Sequence, residues 1–239
     1  MRIQIPEHLA VPVMQHHLPE QLQPNGKVLI WMEREFDYVC LAPAEAASLG
    51  FEEHRSNLKL IHPLPDGTER ERFVLTSGFA SAPLTFHPLN QFESTFRYLG
   101  RQRVNDQEML VLAFAQHPTA KGLTCDFRNG DRFVEARTCG IVWVDPSTHH
   151  ISRMRTDLLR RYPEVGLDRI TTDIFFTDVR FDYLQSALWL PVEVVVTVEW
   201  ERKTFRNSHR YSNFQLFTAE SKTKQRQPKL HLPTTQKAD

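Results

Sequence analysis

The sequence predicts a mainly β fold of the α+β class: a curved antiparallel half-barrel of seven or more strands, with one or two N-terminal helices on its concave face. Three observations lead there. The run 188–200, LWLPVEVVVTVEW, sets Leu188, Leu190, Val192, Val194, Val196, Val198 and Trp200 at alternate positions, so they share one face of a long strand while Glu193, Thr197 and Glu199 point away. Similar runs recur upstream, separated by short turn sequences. Among only nine glycines there is no Rossmann or phosphate-loop pattern, and no repeat of fixed period.

Taken in order, residues 1–26 are dotted with prolines and aperiodic, and read as a loose tail. A single β-rich domain is expected over 27–219, followed by a polar, disordered tail over 220–239. In 28–40, Leu29, Met32, Phe36 and Cys40 recur near helical spacing, which favours a helix, although VLIW at its start also suits a strand. Residues 43–50, PAEAASLG, carry a clearer helix signature: Pro in the first turn, Ala and Glu inside, Gly as the stop.

Strand signals follow. Residues 58–61 and 72–75 flank Pro65-Asp66-Gly67 and are expected to pair as a hairpin. Residues 96–104 and 108–116 flank Asn105-Asp106, which tolerate the left-handed backbone of a tight hairpin. The second of these strands is apolar on both sides and should be covered on both. A hairpin turning at Asn129-Gly130 would set Cys125 opposite Val134 and Cys139 opposite Ala120. Residues 140–156 form another hairpin, with Asp145-Pro146-Ser147-Thr148 as its turn. Residues 170–181 place Ile170, Ile174 and Phe176 on one side and Phe175, Val179 and Phe181 on the other. After 188–200 the chain turns at Glu201-Arg202-Lys203 and returns over 204–217, with a change of phase near Ser212-Asn213 that suggests a bulge.

Several classes of function are set aside by composition. The 29 basic and 29 acidic side chains cancel, so no overall field draws nucleic acid or an anionic membrane. No stretch approaches the roughly 18–20 apolar residues of a membrane-spanning helix, and the chain is not expected to be an integral membrane protein. The first residues lack the continuous apolar core of a secretory signal. Three cysteines, Cys40, Cys125 and Cys139, do not make a disulfide framework and are expected as free thiols.

No catalytic constellation emerges. There is no Gly-x-Ser-x-Gly elbow, and carboxylates such as Asp173 and Asp178 are too scattered for paired acid–base work. Adjacent histidines on a strand point to opposite sides, so His149-His150 with Asp145 make only an outsider's metal site, and no cofactor or metal ligand set is assigned. His209, in RNSHRYSN, reads as part of a cross-strand polar ladder or of a ligand-facing patch. Arg153, Arg155, Arg160 and Arg161 read as a solvated face or as a grip for phosphate or carboxylate.

The ordered phrases FRYLGRQRVNDQEMLVLAFAQ (96–116), GIVWVDPSTHHISRMRTDLL (140–159), TTDIFFTDVRF (171–181) and LWLPVEVVVTVEW (188–200) resemble a family of uncharacterised bacterial proteins. More distantly they resemble the half-barrel superfamily of periplasmic lipoprotein carriers, outer-membrane lipoprotein-sorting proteins and sigma-regulator sensor domains. The likeness covers roughly 96–218, about half of the chain. It implies an incomplete antiparallel barrel wrapped around helices, an apolar cavity, and a periplasmic or cell-envelope location. It brings no catalytic residues.

Two functions follow from the apolar stripe. In the first, the chain is a non-enzymatic module binding a hydrophobic ligand, a lipid or lipoprotein acyl chain, in a cavity lined by Trp143, Ile174, Phe176, Val192, Val194, Val196 and Val198. In the second, the core is filled and the chain is an interaction or sensor domain that meets a protein partner through a strand edge or the hairpin 141–156. A metal-assisted hydrolase is the outsider.

Overall fold

In the computed structural model, which describes residues 9–41, 51–68, 73–181, 187–215 and 217–218, the Val-rich run forms one strand over its whole length, Leu188–Trp200. β-branched side chains stack well on a pleated surface, and this strand pairs on both sides. In chain order the strands are β1 (Leu9–Leu22), β2 (Val28–Trp31), β3 (Glu33–Leu41), β4 (Glu52–His62), β5 (Ser94–Val104), β6 (Gln107–Gln116) and β7 (Cys125–Asn129). They continue as β8 (Arg132–Ala136), β9 (Thr138–Val144), β10 (Ile151–Leu158), β11 (Leu167–Val179), β12 (Leu188–Trp200), β13 (Lys203–Ser212) and β14 (Phe217–Thr218).

Twelve strands make one antiparallel sheet in the order β4-β3-β1-β13-β12-β11-β10-β9-β6-β5, with β2 and β14 also pairing with β1; β7 and β8 form a separate hairpin. The sheet is open, since β4 and β5 end the path without pairing to each other. It is also strongly curved. Laid flat, the nine spacings between β4 and β5 would separate those edges by about 43 Å. Yet Ala80 donates its N–H to Glu53 on β4 at 2.8 Å, and Phe86 packs its ring 5.2 Å from Phe96 on β5. The five residues between them lie largely in the 3-10 turn Ala82–Phe86, so the chain from Ala80 to Phe86 spans only about 15 Å. Even with the side-chain contacts added, a flat sheet could not be bridged this way.

The hairpins show which turn signals held. Asn105 and Asp106 both adopt positive φ between β5 and β6. Glu201 and Arg202 do the same between β12 and β13, where neither residue is a glycine. At β9–β10 the Asp145 carboxylate accepts the N–H groups of Ser147 and Thr148 at 2.7 and 3.1 Å, capping the turn as its sequence suggests.

Several expectations are corrected. Residues 28–40 are strands β2 and β3, broken at Met32, and not a helix. The segment 43–50 lies outside the described residues, as does the tail 220–239. No N-terminal helix therefore stands on the concave face among the described residues. Residues 9–22, expected within a loose tail, form β1 inside the sheet, between β3 and β13. Its prolines sit where a ladder is interrupted: Pro12 precedes the pairing with β13, and Pro19 falls where the partner changes from β3 to β2. A residue without an N–H is tolerated at such gaps.

Residues 58–61 belong to β4, whose partner is β3, while 73–75 are in no strand. The β7–β8 turn is Gly130-Asp131, one residue later than expected, which sets Cys125 opposite Ala136 and leaves Cys139 to pair with Ala115 and Asp157. β13 runs to Ser212 with no bulge in its ladders, and the change of phase beyond it is a strand end with Asn213 at positive φ.

Residues opposite one another in a ladder share a face, so the register assigns each face. Ile174, Val194 and His209 are opposite in sequence across β11, β12 and β13, and Met154 and Val142 continue the same face into β10 and β9. This inner face is covered by residues 73–93, an irregular stretch with two short 3-10 turns, and by the β7–β8 hairpin, whose Phe127 lies 6.2 Å from the Trp200 ring.

Candidate functional site

The inner face has two chemically distinct halves. From β9 to β12 it is apolar: Val142, Met154, Ile170, Ile174, Phe176, Val194, Val196 and Val198 are all buried, with Val194 fully so at 0% exposure. Ile174, Phe176, Val194, Val196 and Val198 were expected to lie together, and they do. Trp143 does not join them. It follows the inward Val142 and so points outward, where the Arg153 guanidinium lies 4.7 Å from its ring and 5.1 Å from that of Phe175.

Val192 departs as well. Glu193 faces Phe175 and Pro191 faces Phe176, so Val192 is the extra residue of a bulge in β12. The bulge resets the alternation, turning Pro191 inward with Phe176 and moving Leu188 and Leu190 off the face shared by Val194, Val196 and Val198. Trp189 thereby comes inward, and its indole N–H donates to the Ile151 carbonyl.

From β13 to β4 the inner face turns polar. Gln15 and His17 on β1, Arg34 on β3, and Asn207, His209 and Tyr211 on β13 are all buried. His17 and His209 are opposite across the ladder and stack in parallel, centroids 4.3 Å apart and planes within 7°. Gln15 Nε2 donates to Tyr211 Oη at 2.9 Å and lies 3.3 Å from His209 Nδ1. Arg34 Nη2 lies 3.2 Å from His17 Nδ1, and Asn207 Oδ1 lies 3.1 Å from His17 Nε2.

These partners fix the tautomers. Arg34 and Gln15 offer only donors to the Nδ1 atoms, so each imidazole accepts there and carries its proton on Nε2. The His17 N–H then donates to Asn207, and the His209 N–H donates to Thr76 Oγ1 at 2.8 Å. Both rings are held neutral. Burial, reinforced by the Arg34 guanidinium, lowers the His17 pKa to about 3. Burial, with His17, Arg55 and Arg34 adding to it, lowers that of His209 well below its usual value. Burial likewise raises the phenols of Tyr38 and Tyr211, with Glu53 adding to both.

Over this half lies a strap, residues 74–81, that crosses the strands from β13 to β4. Asn207 Nδ2 donates to the Val74 carbonyl at 2.9 Å, and Arg55 Nη2 donates to that of Thr76 at 2.9 Å. The Glu53 carboxylate accepts the N–H groups of Gly78 and Ala80 at 2.9 and 2.8 Å. Phe79 is buried, its ring centroid 5.0 Å from that of His209. Gln15 Oε1 and Arg55 Nε are buried without a hydrogen-bond partner among the described residues.

His209 had been singled out in the sequence, and it stands both in a cross-strand ladder and against the strap. Gln15, His17, Arg34 and Asn207 had not. The outsider's metal site does not assemble: Asp145 is engaged in its turn, His150 packs on Trp189 at 4.8 Å, and no cluster of metal-ligating side chains occurs among the described residues. The arginines of 153–161 all have carboxylate neighbours, Arg153 and Arg155 at Asp173, Arg160 at Glu164 and Arg161 at Asp168.

No family model and no curated sequence matches the chain. Among solved structures it is similar to a putative outer membrane lipoprotein-sorting protein domain from Vibrio parahaemolyticus. That likeness covers 90% of this chain and 88% of the other at 11% identity, with a TM-score of 0.41. It is also similar to a DUF1329 family protein from Desulfovibrio piger, over 88% of this chain and 86% of that one, at 11% identity and a TM-score of 0.42. At this level the likeness fixes neither a ligand nor an activity.

Proposed function

We propose that the chain is a non-enzymatic binding module that holds a hydrophobic ligand, a lipid or lipoprotein acyl chain, against the apolar half of its concave face. One observation carries this reading: Ile174, Phe176, Val194, Val196 and Val198 are covered by an irregular segment and a separate two-stranded hairpin. Moving such a cover breaks no ladder of the main sheet. Each methylene of a ligand taken up there would gain about 0.8 kcal/mol, so an acyl chain could compensate for the displaced contacts. The family resemblance implies a periplasmic or cell-envelope setting for such a module.

The purified protein is examined by native mass spectrometry before and after organic extraction, and then by displacement of a fluorescent fatty acid. Co-purified lipid and saturable displacement are expected. Val194→Trp should abolish probe binding while the far-ultraviolet spectrum and cooperative unfolding persist. No lipid, no probe uptake, and a Val194→Trp chain that fails to fold would together sink the reading.

A second reading, an interaction or sensor domain with a filled core, is favoured by the near-zero exposure of Val194, Val196 and Val198. Its signature is that same negative result combined with capture of a protein partner.

A further inference from the structure

The strap is held as a bound peptide is held. Its hydrogen bonds to the strands all involve side chains of the sheet, and most meet the strap's main chain: Asn207 and Arg55 at two carbonyls, Glu53 at two N–H groups. Two strap side chains are also read. Thr76 Oγ1 accepts from His209, and the Phe79 ring is buried against the same imidazole. Val74 to Gly78 is about as long, when extended, as the three spacings from β13 to β4 that it crosses, roughly 14 Å.

Nothing in these contacts depends on continuity with the rest of the chain. The groove also retains an unmet acceptor, Gln15 Oε1, and an unmet donor, Arg55 Nε, among the described residues. Burying such groups unpaired is costly, so a segment that satisfied them would gain what the strap forgoes.

We infer that the polar half of the concave face is a recognition groove for an extended peptide, occupied in this chain by its own residues 74–81. A partner segment carrying a hydroxyl side chain and, three positions later, an aromatic ring exchanges with them. Specificity comes from the Thr76 and Phe79 positions, and main-chain bonds to Glu53, Arg55 and Asn207 supply sequence-independent affinity. The strap competes at the high effective concentration of a tethered ligand, about millimolar, so only a better-fitting peptide displaces it. This inference is independent of the apolar-ligand reading, since lipid uptake without peptide binding would refute this one and leave that one standing.

The test uses the full chain and a fluorescent peptide copying residues 73–82. In the variant Thr76→Ala/Phe79→Ala the tethered strap competes poorly, and the peptide should bind at least tenfold more tightly than it does to the unaltered protein. Making the same two changes in the peptide, or Glu53→Gln in the groove, should weaken that binding at least tenfold. Equal binding, or none, in both proteins would overturn the inference and leave the strap as a closure only. Native-state hydrogen exchange on the unaltered protein covers a variant that does not fold. The Gly78 and Ala80 amides should exchange at least a hundredfold faster than those of β12, through strap opening alone; exchange at the rate of β12 would overturn it.

Discussion

The neutral histidine pair makes the fold sensitive to mild acid, and the sign follows from where protons bind. An unfolded histidine titrates near 6.5, whereas His17 in the fold titrates at about 3. Above pH 6.5 both states are neutral at this position and stability is undiminished. As pH falls from 6.5 towards 3, the unfolded chain takes up a proton that the folded chain refuses, and stability drops by 1.36 kcal/mol per unit. At pH 5, one and a half units below the unfolded value, the loss from His17 is about 2 kcal/mol. His209 is shifted in the same direction and adds to it.

The perturbation is His17→Gln/His209→Gln, which keeps a donor and an acceptor at each position but cannot take a proton. Urea unfolding midpoints are measured at pH 7 and pH 5 for both proteins. The unaltered chain should lose at least about 2 kcal/mol more than the double variant between these values. The rest of the chain is common to both, so the difference belongs to the pair. An equal loss in the two proteins would refute the neutral, buried assignment.

Gly140→Ala should be among the most disruptive small changes, because an added Cβ would stand 2.1 Å from the Arg155 carbonyl oxygen and 2.9 Å from the Phe114 ring. Strands β6, β9 and β10 would have to part, costing about 3 kcal/mol or more in urea unfolding; a midpoint within 0.5 M of the unaltered one would contradict the register. The three thiols should react slowly with a disulfide reagent at pH 8 and fully on denaturation. Burial pushes Cys40 up to about 12 and Cys125 up to about 11, and raises Cys139 too. Rapid native labelling of Cys40 or Cys125 would show that the cover over them is open.

What the sequence disclosed depended on whether the inner face was apolar. β9 and β12 were legible because Val142 and Val194–Val198 alternate with less buried neighbours, β6 because it is apolar on both sides, and Asn105-Asp106 and Asp145-Pro146 marked the turns next to β6 and β9. β1 was hidden because its inward positions after Val13 are Gln15, His17 and Pro19, which leave no hydrophobic period to detect. The expected helix at 28–40 has a simple cause. Met32, Phe36 and Cys40 are four apart, and positions i and i+4 share a face in a strand as well as in a helix. The bulge at Val192 left one trace, Pro191 beside it, because a proline within a strand that pairs on both sides marks a gap or a bulge; alternation alone could not locate the inserted residue.

The polar half of the site was illegible for a further reason: it is built from strands nearly two hundred residues apart, and no local spacing relates Gln15 to His209 or His17 to Asn207. Those contacts have two separable roles. They pin the β1–β13 register, because a slip by one residue would send Gln15 and His17 outward and bring in His16, whose outward partner is Glu33. They also present His209 to the strap through Nε2, the atom that keeps its proton in both charge states. Acid would protonate Nδ1, where His17 meets Arg34 and His209 meets Gln15, setting donor against donor beneath the strap. In mild acid both folded rings refuse that proton, so the cost appears as lost global stability while the network and the Thr76 bond persist in the fold. A competing peptide acts on the opposite side, at Thr76 and Phe79. Acid stability and strap exchange thus probe different faces of the same two imidazoles, and loss of one effect in a variant need not carry the other with it.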